Sequence, residues 1–327
     1  MDILGPKEKL NNLLLNGDFL CNTTVENVAE MIQEDRKIVE TQRSKRYDDP
    51  EGYFRSYHRF SEVVDFMENM AEFNPSIARF VPSIGKSVEG RDIPVIHIRG
   101  AKTEANKLKT IWFSGGIHAR EWISVAVVQY LIYKLITEYG KDEQVTQLLN
   151  QIEFVIAPCI NPDGYEFSWT TQRMWRKNRR PNPSACAGVD LNRNFNNHWG
   201  GVGASAHPCA EDYRGPSVAS EPETQAVQNY VLSLPNRSGG IDFHSYGQLI
   251  LRSYGYANNL SPNENILRAV GDGMRQIILK KSGMRYESTR AAELYPTTGS
   301  TDDWYTEQAG MWGWTIELRD VGIYGFQ

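Results

Sequence analysis

His118 and Glu121 stand three residues apart, directly after the glycine pair that ends the apolar run "IWFSGG". Imidazole and carboxylate are what a hydrolytic zinc site uses, with three protein ligands and a fourth position left to water. At i and i+3, where a loop enters a helix, both side chains can point at one spot. The third ligand must come from elsewhere in the chain. His244 is the best placed, because it closes another buried run, "GGIDF". Other polar groups follow apolar runs in the same way: Asn161 and Asp163 after "FVIAPCI", and Glu317 after "WTI". Taken alone, a His and a Glu at this spacing are common on solvated helix faces, and Glu317 reads as a strand-end carboxylate paired with Arg319. The two-glycine turn and the distant strand-end histidine raise a metal centre to equal standing.

For such groups to meet, the runs that carry them must lie side by side with their ends aligned. From about residue 52 the chain alternates strand and helix signals. "EVVDFMENMAEF" is helical, and "IPVIHIRG" and "KTIWFSGG" are strand-like. "WISVAVVQYLIYKLITEYG" is a helix closed by Gly140, and "IEFVIAPCINPDG" is a buried strand ending in a turn. Ser220 and Glu223 are spaced as a capping box for "EPETQAVQNYVLSL". "GGIDFHSYGQLILRSYG" reads as one strand, "NILRAVGDGMRQIILKKSG" as a helix and "MWGWTIELRD" as a last strand. This order predicts an α/β domain, a mixed and largely parallel twisted sheet with helices on both faces. In such sheets functional groups collect where strands end.

The chain has 327 residues, 40% of them apolar and 23% charged, enough to bury a large core. A net charge of -5 argues against nucleic acid as the main partner, and the longest basic block, "RMWRKNRR", interleaves aromatic and polar groups. No stretch approaches the roughly 20 apolar residues of a membrane span. The sequence as given shows no signal peptide. Four cysteines without a CxxC make a cysteine zinc site a poor reading. Cys186 and Cys209 flank one segment and could be bridged, whereas Cys159 in "FVIAPCINP" reads as a buried free thiol. Sequons stand at Asn22, Asn236 and Asn259. Residues 1–48 are polar, carry a helical pattern in "TVENVAEMIQEDRKIVETQ" and end in the linker-like "RSKRYDDPEGY".

Six separated motifs then occur in order: "GGIHAREWIS", "NPDGY", "RMWRKNR", "GVDLNRNF", "HSYGQL" and "TIELRDVGIYGF". Together they resemble the secreted zinc metallocarboxypeptidases of the pancreatic A/B type, over most of the chain. The resemblance implies one zinc ion held by His118, Glu121 and His244, with Asp190 orienting a ligand histidine. It implies Glu317 as the general base and Arg176 as the cation that stabilises the oxyanion. Asn192 and Arg193 match a clamp for a free C-terminal carboxylate, a group that the planar fork of arginine suits. Tyr295 matches a mobile tyrosine that closes over it, and Arg120 and Tyr246 match further subsite residues.

Seven residues after Tyr295, Asp302 falls where the family places the floor of its specificity pocket. An acid there goes with C-terminal Lys or Arg, an aliphatic residue with apolar ends. Asp303 is expected to cap a helix starting at Trp304, and Ser300 adds a hydroxyl to the pocket wall. The implied activity is removal of basic C-terminal residues from peptides and proteins. The rivals are apolar specificity on the same fold and a non-catalytic zinc- or peptide-binding homologue. The resemblance further implies non-proline cis peptides at Ser245–Tyr246, Ser253–Tyr254 and Arg319–Asp320. It also implies a secreted monomer whose pro-segment, here residues 1–48 and partial, a trypsin-like protease removes at "RSKR". Residues 49–327 would then be the catalytic domain, ending before the final helix that the family carries.

Overall fold

The computed structural model describes residues 8–10, 27–42, 50–183 and 186–321. Cys21, Asn22, "RSKR" and the closing "YGFQ" lie outside them. Eight strands form one sheet: β1 (Ala78–Val81), β2 (Val95–Ile98), β3 (Lys109–Ser114), β4 (Ile152–Ala157), β5 (Arg237–Ser245), β6 (Leu249–Arg252), β7 (Glu287–Arg290) and β8 (Trp312–Leu318). Their order is β1-β2-β4-β3-β5-β8-β6-β7. The centre, β4-β3-β5-β8, is parallel throughout, and β6–β7 adds a fourth parallel pairing. The pairings β1–β2, β2–β4 and β6–β8 are antiparallel, so the sheet is mixed as expected.

Side chains alternate across this sheet because successive residues of a strand face opposite ways. On β4, Phe154 and Ile156 pack into one core with Phe66 and Met67 of the helix Phe60–Glu72 and Val128 and Ile132 of the helix Trp122–Glu138. Val155 and Ala157 pack into the other, with Val227 and Val231 of the helix Pro222–Ser233 and Trp304 and Tyr305 of the helix Thr301–Glu307. Each face of the sheet is thus covered by helices. The helix Glu264–Ser282 ends at Gly283 in the left-handed conformation, and among the described residues no helix is long and apolar enough to cross a membrane.

Several local expectations need correcting. The run "GGIDFHSYGQLILRSYG" is two strands, β5 and β6, broken at a turn where Gly247 and Gln248 both donate to the Leu318 carbonyl. Ser220 and Glu223 make no capping box. Pro222, whose fixed φ suits a first turn, opens that helix behind Glu221. The Glu223 carboxylate is taken instead by the Val88 amide and the Asn178 side chain. The helix expected at Trp304 starts at Thr301, and Asp303 does not cap it. Its carboxylate accepts from the amides of Gly255 and Tyr256 on another loop. Long-range donors outcompeted the local ones in both cases. The edge strands β1 and β7 gave no readable pattern, being four residues long with mostly half-buried side chains. The three expected cis peptides are present.

Candidate active site

Three parallel strands end at one place. After β3 the chain turns through Gly115 and Gly116 and delivers His118 and Glu121. Gly116 has φ +62, and a Cβ there would stand 2.8 Å from Val125 and 3.0 Å from the Cys159 sulfur. Only glycine fits so tight an entry. Asn161 laces this loop to the one behind Arg176, its Nδ2 donating to the carbonyls of Ile117 at 2.9 Å and Lys177 at 3.2 Å. β5 carries His244 and β8 carries Glu317, each one residue before its strand's end, and the two are direct partners across the strands.

The side chains of His118, Glu121 and His244 converge, with ligand atoms all within 4.8 Å of one another and all three residues buried. His118 Nδ1 lies 2.8 Å from Glu121 Oε1, and His244 Nδ1 lies 3.1 Å from both Glu121 Oε2 and His118 Nδ1. Each imidazole turns its other nitrogen to a buried carboxylate. His118 Nε2 is 3.1 Å from Asp190, and His244 Nε2 is 2.9 Å from Asp242. Those acceptors place the ring protons on Nε2 and leave both Nδ1 lone pairs aimed at one point. Two lone pairs and a carboxylate facing each other in a dry site repel, and a shared cation relieves this. The donor set, two imidazole nitrogens and one carboxylate, fits zinc.

Around this point the electrostatics are sharply divided. Burial alone would raise Asp190, but Arg176 and His118 outweigh it and hold its carboxyl well below the usual range. Arg176 gives Nε and Nη2 to Asp190 Oδ2 at 3.1 and 2.8 Å, and its Nη1 reaches His118 Nδ1 at 3.1 Å. Burial opposes that charge, yet Asp190 and Glu121 keep Arg176 above the ordinary arginine value. Glu317 goes the other way. Burial pushes its carboxyl up to about 7.

The triad opens into a cleft lined by Arg176, Asn192, Arg193, Tyr246, Tyr295, Asp302 and Glu317. Arg193 spends Nε and Nη1 on the carbonyls of Gly203 and Asn192, and among the described residues its Nη2 has no hydrogen-bond partner. Asn192 gives its oxygen to the Thr301 amide at 2.9 Å, which leaves its NH₂ to donate. Tyr295 is about half exposed at the rim. Asp302 is buried, and that burial raises its carboxyl. The buried hydroxyls of Ser245 and Thr315, which find no protein partner among the described residues, line the same cleft. Arg120 adjoins Glu121, and the charges of Arg176, Glu121 and Asp190 reach it. Its Nη1 donates to Glu211 at 3.1 Å, and it is not in the cleft lining.

Two expectations resolve as structural parts. Asp163 accepts from Ser87, the Glu89 amide and Arg91, fastening a loop away from the cleft. Cys186 and Cys209 form a disulfide, and Cys159 is a buried free thiol. Sequence reasoning overlooked Asp242. Its signal was the "DFH" spacing, since residues two apart on a strand share a face.

A family model described as zinc carboxypeptidase matches residues 63–327. This chain belongs to the zinc carboxypeptidase family. Among its relatives, human carboxypeptidase B is 36% identical over 314 residues, covering 93% of this chain and 74% of that protein. Human mast cell carboxypeptidase A is 39% identical over 280 residues, covering 84% of this chain and 65% of that protein. The crystal structure of thrombin activatable fibrinolysis inhibitor superposes with a TM-score of 0.89 at 33% identity, covering 98% of this chain and 79% of that one. Carboxypeptidases of both B and A type thus stand at similar distance, and zinc carboxypeptidase membership alone leaves the preferred C-terminal residue open.

Proposed function

We propose that this chain is a zinc-dependent exopeptidase that removes Lys or Arg from the C-termini of peptides and proteins. The observation that carries the specificity is Asp302, a buried carboxylate in the cleft wall with Thr315 and Ser300 beside it. A buried acid without a cation is costly, so an apolar guest would leave it unpaired while a basic guest draws it back to its ionised form.

His118, Glu121 and His244 would hold the metal. Zinc bound there would supply a Lewis acid for a carbonyl and lower the pKa of water towards neutrality. Arg193 Nη2 and the Asn192 amide take the free carboxylate of the substrate, which sets the scissile bond one residue in. Arg176, pinned by Asp190, aims Nη1 at the side where the carbonyl oxygen gains charge. Glu317, titrating near 7, takes a proton from the attacking water and hands it to the leaving nitrogen. Tyr295 at the rim closes over the bound end, and Tyr246 and Arg120 serve residues further from the cut.

Residues 49–327 are the catalytic domain in this reading, and 1–48 part of a pro-segment removed by a trypsin-like protease from a secreted monomer. The Cys186–Cys209 disulfide supports an oxidising compartment. The identity to mast cell carboxypeptidase A favours a second reading, in which apolar C-termini are preferred. Matched peptides ending in Arg and in Phe separate the two. The activated protein is expected to cleave the Arg peptide far faster, and Asp302→Leu to reverse the order. Equal rates in the unsubstituted protein would overturn the basic pocket, and full activity after exhaustive chelation would overturn the metal.

A further inference from the structure

Asp242 has no role in the reading above, yet it is fully buried two residues before His244 on β5. Its Oδ2 accepts from His244 Nε2 at 2.9 Å and from Thr301 Oγ1 at 3.0 Å. Its Oδ1 accepts from Ser114 Oγ at 2.8 Å. The Ser114 proton is therefore committed to the carboxylate, so Tyr305 is the donor in its 3.2 Å contact with Ser114. Among the described residues no Lys or Arg bonds to Asp242. A buried carboxylate with only hydroxyls and one imidazole around it needs a positive charge nearby. The metal point on the far side of His244 is where that charge would sit.

We infer that Asp242 is a positioning residue, holding His244 with its Nε2 proton outward and its Nδ1 lone pair on the metal point. This rests on the zinc reading. Three donors from three elements fix the carboxylate: Ser114 ends β3, His244 lies near the end of β5, and Thr301 opens the helix that carries Asp302. Asp190 grips His118 in the same way. The two ligand histidines are thus each backed by a separate carboxylate, and Asp242 also ties its histidine to the specificity pocket through Thr301. An asparagine there would offer one acceptor oxygen to three donors, and an alanine none.

Zinc affinity, measured by competition with a chromophoric chelator, tests this in the unsubstituted protein, Asp242→Asn and Asp242→Ala. Circular dichroism of the metal-free proteins reports the fold, and visible absorption after cobalt(II) substitution reports ligand geometry. Both variants are expected to bind zinc about 10- to 100-fold more weakly, the usual effect of losing such a partner, with altered cobalt bands and an unchanged fold. Folded variants with undiminished affinity and unaltered cobalt bands would overturn the inference while leaving the zinc reading intact. An unsubstituted protein that binds no zinc would overturn both. Should neither variant fold, nuclear magnetic resonance of the zinc-loaded parent decides. A His244 Nε2 proton protected from exchange supports the inference, and a freely exchanging one overturns it.

Discussion

At the scale of single residues, the site is a contest between burial and charge. Glu317 and Asp190 are both buried carboxylates, yet burial lifts the first to about 7 while Arg176 and His118 hold the second low. One is left able to trade protons and the other is kept as a fixed anion. Glu317 is not among the three groups that converge on the metal point. Glu317→Gln is therefore expected to bind zinc as the parent does while kcat falls on the order of 100- to 10,000-fold. Metal content and turnover measured on the same sample check this, and retained turnover would remove Glu317 from the chemistry. Because the base must be ionised, kcat/KM in the parent should fall as the pH drops through about 7, or somewhat lower once the metal's charge draws the carboxyl down. A pH profile of the parent shows whether that acid limb is there.

At the scale of elements, the strands deliver the ligands but loops shape the cleft. Gly203 illustrates the tolerance involved. It has φ +81, a Cβ on it would fall 1.8 Å from the Pro296 carbonyl, and its own carbonyl holds Arg193 Nε at 2.8 Å. Gly203→Ala must push apart the segment just after Tyr295, Pro296 and Thr297, and the loop that steadies Arg193. Expected are a loss of about 1–3 kcal/mol in stability and a rise in KM larger than any fall in kcat, since the role proposed for Arg193 is to hold the substrate rather than to touch the reacting atoms. Melting curves and Michaelis constants separate the two effects. A KM equal to that of the parent would count against Arg193 as a holder of the substrate carboxylate.

At the scale of the whole molecule, stability depends on acids buried outside the cleft lining. Glu221 and Glu223 are both buried and share the Asn178 amide, while Arg180 reaches only Glu221. Burial, with Glu221 beside it, raises Glu223 from 4.5 to about 7. The folded state thus holds the proton more tightly than the unfolded one. The resulting stabilisation is complete below pH 4.5 and is lost as the pH rises through about 7, on the order of 3 kcal/mol in all. Glu223→Gln cannot titrate, so its melting temperature should lack this fall. Parallel pH series for parent and variant provide the check, and identical slopes would place the neutral acid elsewhere.

Much of this was legible in the sequence because it is written in local chemistry. Hydrophobic period gave the central strands and long helices, and the histidine and glutamate after the Gly-Gly turn, with the distant His244, marked a candidate metal centre. The resemblance supplied Arg176, Arg193 and Asp302, whose types alone would have passed for ordinary loop and cap residues. What only the tertiary structure decided concerns where buried polar groups find partners. Glu223 and Asp303 have the spacing of helix caps but bond to distant amides, and Arg120 turns to Glu211 outside the cleft lining. Asp242 became visible only once β3, β5 and the helix at Thr301 were brought together. A hydrogen bond is spent where a partner stands within about 3 Å, and for Glu223, Asp303 and Arg120 that partner lies tens of positions or more away in the chain.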